Sequence, residues 1–326
     1  MLYIIRFSWP GESYFFWEGH GMKQDESSLT SLVSAFGRAY HSKYDTPKIF
    51  DDFIANKLIT EEEFSAISKN MIEGIHFFNE EIGQKYKENP EKILKWVTQV
   101  QLSPISLARS AYTEQVLLNE LKLGVGQYVI LGAGLDTFAF RFPEFEKRLE
   151  IFEVDHPATQ QLKKKKLDDA GFDIPSNLHF VTMDFTKKFA EKKLVAAGFN
   201  PNKKTFISLL GVSYYLTKEE NESLINNIFA NIPSGSSIVF DYADETLFET
   251  KGKSNRVENM VKLAYASGEP MKSNFTYSEI EGLLEKIGLL IYEHLSPENI
   301  NDQFFQNRTD YLTSFETIHF IHAVKR

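Results

Sequence analysis

From Gln127 to Arg326 short apolar runs alternate with longer amphipathic ones, and that alternation restricts the fold more than any other feature of the chain. The runs YVILG, LEIFEV, LHFVTM, TFISLL and SSIVFDY are nearly continuously apolar. A strand with one wet face alternates polar and apolar residues, so continuous apolarity implies burial on both faces, as in a parallel sheet covered by helices. Helical stretches separate most of these runs, which predicts an open, doubly wound α/β sheet. Two further runs, LLIYEHL and IHFIHAV, lie close together with a loop between them. They predict a terminal hairpin, hence a seven-stranded, mostly parallel sheet with one antiparallel strand.

Residues 22–123 read as a helical cap preceding this sheet domain of residues 124–326. Asp25, Ser27 and Ser28 mark a helix start before Leu29, Leu32, Val33 and Phe36. Thr60 with Glu63 forms a capping box, and Phe64, Ile67, Met71, Ile75 and Phe78 fall on one helical face. Asn89-Pro90 interrupts the pattern, and SLARSAYTEQVLLNEL carries it on to Gly124. Residues 1–21 are aromatic-rich, but Arg6 breaks their apolar run and no small-residue cleavage site follows. They read as an extension, disordered or weakly docked.

Composition narrows the function classes. The chain has 326 residues, 42% hydrophobic and 25% charged, with a formal charge of −9 and no cysteine. A nucleic-acid partner is disfavoured, because phosphate backbones demand clustered Lys and Arg. The basic run Lys163–Lys166, flanked by Asp168 and Asp169, reads as a solvated helix face. Without cysteine there is neither disulfide nor thiolate chemistry. No apolar run is long enough to span a membrane. A cytoplasmic protein acting on a small molecule is expected, and the sequence carries no marker of oligomeric state.

In YVILGAGLDT the turn Gly132-Ala133-Gly134 follows the first strong strand, at the edge where ligands of such sheets bind. Asp155 ends the next strand, where a carboxylate can accept hydrogen bonds from ribose hydroxyls. The ligand therefore carries an adenosine or similar nucleoside. A dinucleotide site wants a third glycine three residues beyond the second, presenting a helix N-terminus to the pyrophosphate. Thr137 stands there, beside Asp136, whose charge suits a sulfonium with an amino group better than a pyrophosphate. These residues favour S-adenosylmethionine over a nicotinamide dinucleotide.

GAGLDTFAFRF followed by FEVDHPATQQLKKKKL closely resembles the leucine carboxyl methyltransferase family, including its bacterial polyketide O-methyltransferase branch. The resemblance continues through AFGRAYHSKYDTPKIFDD, SLARSAYTE, VTMDF, LLGVSYYLTKEE and GEPMKSNFTYSEIEGLLEKIGL. It implies a class I methyltransferase sheet, S-adenosylmethionine as cofactor, and methyl transfer to oxygen, often a carboxylate. By that resemblance Arg109 grips the methionine carboxylate, Gly132, Ala133 and Gly134 form the turn, and Asp155 holds the ribose. Asp184 and Phe185 address the adenine, Tyr215 positions the acceptor, and Glu153 and Asp136 support the site. Many relatives carry a glutamate where Leu210 precedes Gly211. That departure points to the small-molecule branch rather than to enzymes that modify a protein C-terminus.

Alignment and desolvation dominate an in-line methyl transfer, and an ionised carboxylate acceptor needs no base. No histidine among 156, 179, 294, 319 and 322 reads as one. His319 and His322, three apart on a strand, point to opposite faces and do not make a metal pair. The expected function is a metal-free O-methyltransferase acting on a small organic acceptor. The alternatives are a nicotinamide-dependent oxidoreductase, a protein C-terminal carboxyl methyltransferase and a non-catalytic cofactor-binding protein.

Overall fold

The computed structural model of the chain describes residues 5–9, 12–18, 29–187 and 189–326. Strands β1 (Ile5–Trp9) and β2 (Glu12–Glu18) pair antiparallel with each other in a two-stranded sheet of their own. The remainder of the 1–21 extension, and the helix start expected at Asp25, Ser27 and Ser28, lie outside the described residues. The main sheet comprises β3 (Gln127–Leu131), β4 (Glu150–Asp155), β5 (Leu178–Thr182), β6 (Thr205–Leu209), β7 (Ser237–Ala243), β8 (Leu289–Leu295) and β9 (Ile318–Lys325).

Its strand order is β5-β4-β3-β6-β7-β9-β8, all parallel except β9, which runs antiparallel to both β7 and β8. The expected seven-stranded sheet with one antiparallel strand is therefore present. The chain winds outward from β3 through β4 to β5, then crosses back to β6, so the winding reverses between β3 and β6. A crevice opens at such a switch point, outside the carboxyl ends of the strands.

Period-2 alternation explains the continuous apolar runs. Tyr128 and Ile130 of β3 join Leu107, Tyr112 and Phe206 on one face, while Val129 and Leu131 join Phe152, Ile207 and Ile225 on the other. A third cluster, including Phe36, Ile67, Met71, Phe78 and Trp96, forms the centre of the helical region. The helix Pro104–Lys122 packs directly on the sheet through Leu107, Tyr112, Val116 and Leu117.

Three expectations need correction. The single helical face read from Phe64 to Phe78 is divided between two helices, Glu61–Glu73 and Ile75–Phe78, and Glu80–Lys85 forms a third. The expected Thr60–Glu63 capping box opens the first, Gly74 ends it, and the Asn79 side chain accepts from Ile82 N to start the third. The connection before β9 is no plain loop but contains helix Pro297–Phe304, opened by a Ser296–Asn299 capping box. Lastly, Lys163–Lys166 is only in part a solvated face: Lys164 and Lys165 are exposed, Lys165 pairing with Asp169, but Lys163 is fully buried against Glu153 and Lys166 reaches Glu63 from the same side of helix Pro157–Asp169. Positions three apart share a helical face, and this one faces the sheet. Among the described residues no helix is long and apolar enough to cross a membrane.

Candidate active site

A cavity of about 570 Å³ opens at the carboxyl ends of β3, β4 and β6, within the usual range for small-molecule sites. Its wall includes Arg109, Gly132, Ala133, Gly134, Asp136, Asp155, Asp184, Phe185, Leu210 and Tyr215, which gathers every site residue expected from the sequence.

The glycine turn is sterically required. Gly132 and Gly134 have φ of 75° and 51°, in the left-handed region that side chains disfavour. A Cβ on Gly132 would lie 2.3 Å from Val212 Cγ2, with Phe185 packed close by. Asp155 holds the turn from below: its Oδ2 accepts from Gly134 N and its Oδ1 from His156 N, each at 2.6 Å. Burial pushes the Asp155 carboxyl above its usual range, while these two backbone bonds pull against that rise.

Thr137 is buried and donates to Asp52 Oδ1 at 2.7 Å, so its side chain is committed to the protein interior. The helix after the turn is only Phe138–Arg141, and the Asp136 carboxylate accepts its first N–H at 2.8 Å. Such a helix start is short and already occupied by an anion. It does not fit a pyrophosphate, which sets aside the nicotinamide reading.

Arg109 projects from helix Pro104–Lys122 against Gly211, whose φ is 69°; a Cβ there would fall 2.4 Å from Arg109 Nη1. Nη1 donates at 3.0 Å to both Asp241 Oδ2 and the Tyr214 hydroxyl. Asp241 Oδ1 in turn accepts from Gly211 N at 2.6 Å. Among the described residues Arg109 Nε and Nη2 make no hydrogen bond, which leaves part of the guanidinium fork for a ligand carboxylate. Asp241 went unrecognised in the sequence, although a lone carboxylate within the apolar run SIVFDYA is a signal akin to the one that identified Asp155 at the end of β4.

Asp184 lies just beyond β5, its Oδ1 accepting from Thr186 N and Oγ1 and its Oδ2 paired with Lys187 at 3.0 Å. Burial would raise this carboxyl, but those hydrogen bonds hold it below its usual range. Leu210 packs its side chain against the sheet core beneath the cavity. Tyr215 stands edge-on to Tyr214, their ring centroids 4.9 Å apart, and burial with nearby Tyr214 and Glu269 pushes its phenol well above the usual value. Glu153 meets Lys163 rather than the cavity, in keeping with a supporting role.

A buried network that sequence reasoning missed ties the helical region to the glycine turn. Arg38 donates to Leu135 O at 2.8 Å and to Asp52 at 2.9 Å; Arg141 donates to Thr137 Oγ1 at 2.9 Å and pairs with Glu114. Burial alone would raise the Asp52 carboxyl, but Arg38, Arg141 and the Thr137 hydroxyl hold it below its usual range. His156 lines the cavity but its Nδ1 accepts from Ala158 N, while His294 and His319 bond each other, and His319 reaches Asp244, outside the cavity wall. Among the described residues no cluster of His, Asp and Glu could hold a metal ion.

Comparisons with known proteins identify the family. The family model described as leucine carboxyl methyltransferase matches residues 31–229. A Bacillus subtilis (strain 168) protein, YktD, whose name places it among S-adenosyl-L-methionine-dependent methyltransferases, is 70% identical over 305 residues, 94% of this chain and 100% of its own. A Mycobacterium tuberculosis (strain ATCC 25618 / H37Rv) protein with the same kind of name is 31% identical over 138 residues, 42% of this chain and 45% of its own. Among solved structures, a duf574 family protein from Streptomyces avermitilis shares the fold, with a TM-score of 0.54 and 12% identity over 93% of this chain and 100% of its own. The sheet is that of a class I methyltransferase and its cofactor is S-adenosylmethionine; the chain belongs to the leucine carboxyl methyltransferase family.

Proposed function

We propose that this enzyme transfers a methyl group from S-adenosylmethionine to an oxygen of a small organic acceptor. The observation that carries the reading is the placement of Arg109, the Gly132–Gly134 turn and Asp155 on one wall of one cavity. Arg109, held by Asp241, would take the methionine carboxylate with its remaining N–H groups. The second lone pairs of the Asp155 oxygens would accept from the ribose hydroxyls, and Asp184 with Phe185 would meet the adenine. Leu210 offers no side-chain acceptor for the amino group, which leaves that contact to Asp136 or to backbone carbonyls.

When bound, the cofactor supplies a sulfonium-activated methyl group, so the protein need not create an electrophile. Its task is to exclude water and align the acceptor oxygen. Apolar side chains from both the helical region and helix Arg256–Ala266, among them Val33, Met71, Met260 and Leu263, wall that part of the cavity. Tyr215 is the group we assign to positioning the acceptor. A cavity of this size and lining supports a small molecule as substrate, and the chain's net charge of −9 speaks against a nucleic-acid partner.

The test is turnover of methyl-labelled S-adenosylmethionine on matched phenols, alcohols, carboxylic acids and amines, with the products identified by NMR. Label appearing on oxygen, undiminished by a chelator, is the expected result. Label found on nitrogen alone overturns the O-methyl reading, and activity restored only by magnesium overturns the metal-free one.

A further inference from the structure

We propose that Gln101 determines specificity: its side-chain carbonyl accepts from a hydroxyl or N–H that the substrate carries in addition to its methylated oxygen. The proposal rests on the O-methyltransferase reading above and specifies its substrate class, an apolar body bearing a second, donating group.

Gln101 stands in an irregular turn of the helical region. Between helices Pro90–Val97 and Pro104–Lys122 the segment Thr98–Leu102 is π-helical, and Ser103 N donates to Thr98 O, five residues back, at 2.9 Å. Single π turns of this kind recur at functional sites. Gln101 and Leu102 of the turn line the cavity, and helix Arg256–Ala266 lies beside it.

Two glutamines of this turn make an internal comparison. Gln99 is fully buried, lies outside the cavity wall and is satisfied at both ends. Its Nε2 donates to Asp45 Oδ1 at 2.7 Å, and its Oε1 accepts from Tyr311 N at 3.2 Å. Gln101 is 8% exposed, lies on the wall, and is held at one end: Nε2 donates to Arg256 O at 2.9 Å. A backbone carbonyl only accepts, so the amide must turn its nitrogen toward Arg256 and its oxygen away. Among the described residues that oxygen makes no hydrogen bond.

The anchor is rigid. The Arg256 side chain is 2% exposed, donates to Glu316 Oε2 and to Thr313 Oγ1 at 3.0 Å each, and lies over the Phe315 ring. The Gln101 amide is therefore oriented before any ligand arrives, which lowers the ordering cost of binding. Met260, one turn beyond Arg256, and Ile105, four residues beyond Gln101, bring apolar side chains to the same wall. A carbonyl among such groups is costly to leave unbonded, and a site built around one rejects an analogue that lacks the matching donor. Tyr215 then positions the oxygen that receives the methyl group, while Gln101 reads the second group.

Calorimetric titration of the full chain, saturated with S-adenosylhomocysteine, tests this with 2-naphthol, 2,7-dihydroxynaphthalene and 7-amino-2-naphthol. The three probes share one ring system and one hydroxyl, and the last two add a donor as O–H or as N–H. The parent should bind at least one of those two roughly tenfold or more tighter than 2-naphthol, and Gln101→Met should erase the preference. Which probe gains tells a hydroxyl from an N–H as the group that is read. Gln101→Asn, which withdraws the carbonyl by one methylene, takes the place of the Met variant if that chain does not fold. Gln99→Met breaks bonds of the same turn outside the cavity and should keep the preference, which separates recognition from disturbance of the turn. No gain from either added donor (including no binding of any probe), an unchanged preference in the Gln101 variant, or the same loss in Gln99→Met each overturns the proposal. Failure of the O-methyltransferase reading would show instead as label on nitrogen alone in the turnover experiment, which leaves these binding ratios untouched.

Discussion

Asp52→Asn is the substitution that most sharply separates the support of the glycine turn from the turn itself. Asp52 touches no part of the proposed ligand, yet it is 1% exposed and accepts from Arg38 at 2.9 Å, Thr137 at 2.7 Å and Ala55 N at 3.0 Å. The amide keeps the shape but leaves Arg38 facing a neutral group and forces an N–H2 toward other donors. Breaking a buried ion pair by neutralising one partner costs about 3–5 kcal/mol. Arg141 retains Glu114, so the lower end, about 3 kcal/mol, is expected. Urea unfolding of parent and variant measures this, and calorimetry with S-adenosylhomocysteine should show weaker binding, because Arg38 also holds Leu135 O. The pH dependence has a definite sign. A carboxyl depressed in the folded state stabilises fully above its unfolded pKa, about 4, and loses that contribution as pH falls through the lower folded value. The gap between parent and variant should be constant near neutrality and shrink below about pH 4. A stability loss under about 1 kcal/mol with unchanged cofactor affinity would refute the reasoning.

Arg109→Lys should weaken S-adenosylhomocysteine binding by roughly tenfold or more, because an ammonium cannot hold Asp241, Tyr214 and a ligand carboxylate in one plane; unchanged affinity in calorimetry would leave Arg109 a structural partner of Asp241 alone. Gly132→Ala should abolish measurable cofactor binding and lower the melting temperature, since the new methyl meets Val212 Cγ2 at 2.3 Å on a φ of 75°; a variant that binds normally would show that the turn relaxes freely. Cofactor affinity, measured by calorimetry across pH, should decline on acidification earlier than an ordinary aspartate would dictate, because burial raises Asp155 and its protonated form loses ribose-accepting capacity; a profile flat down to pH 4 would contradict the ribose assignment. A chain beginning at Met22 should keep its melting temperature and cofactor affinity, as among the described residues β1 and β2 join no strand of the main sheet, β2 touching helix Glu61–Glu73; a large fall in melting temperature would show that the first residues complete the core.

The sheet was legible because burial on both faces makes its central strands mostly apolar, and the site because glycines and a carboxylate fall at strand ends. Tertiary pairing was not legible. Arg38 meets Leu135 across 97 positions and Thr30 meets Glu269 across 239, separations at which no local pattern operates. The misread lysines show a different limit. Charge suggested solvent, but the spacing of Lys163 and Lys166 matched the inward positions Thr159, Gln160 and Leu167, and each ammonium had a glutamate waiting on a neighbouring element. The helix Pro297–Phe304 was missed because eight residues carry too little periodicity, although Ser296 and Asn299 marked its start.

A crystal structure of the full chain with S-adenosylhomocysteine bound tests the assignment of the cavity most directly. The predicted result places the cofactor carboxylate within hydrogen-bond distance of the Arg109 guanidinium, both ribose hydroxyls on Asp155, and the adenine between Asp184 and Phe185, with the sulfur turned toward Tyr215. A ribose held away from Asp155, or a carboxylate bound elsewhere while Arg109 stays with Asp241 and Tyr214, would contradict it.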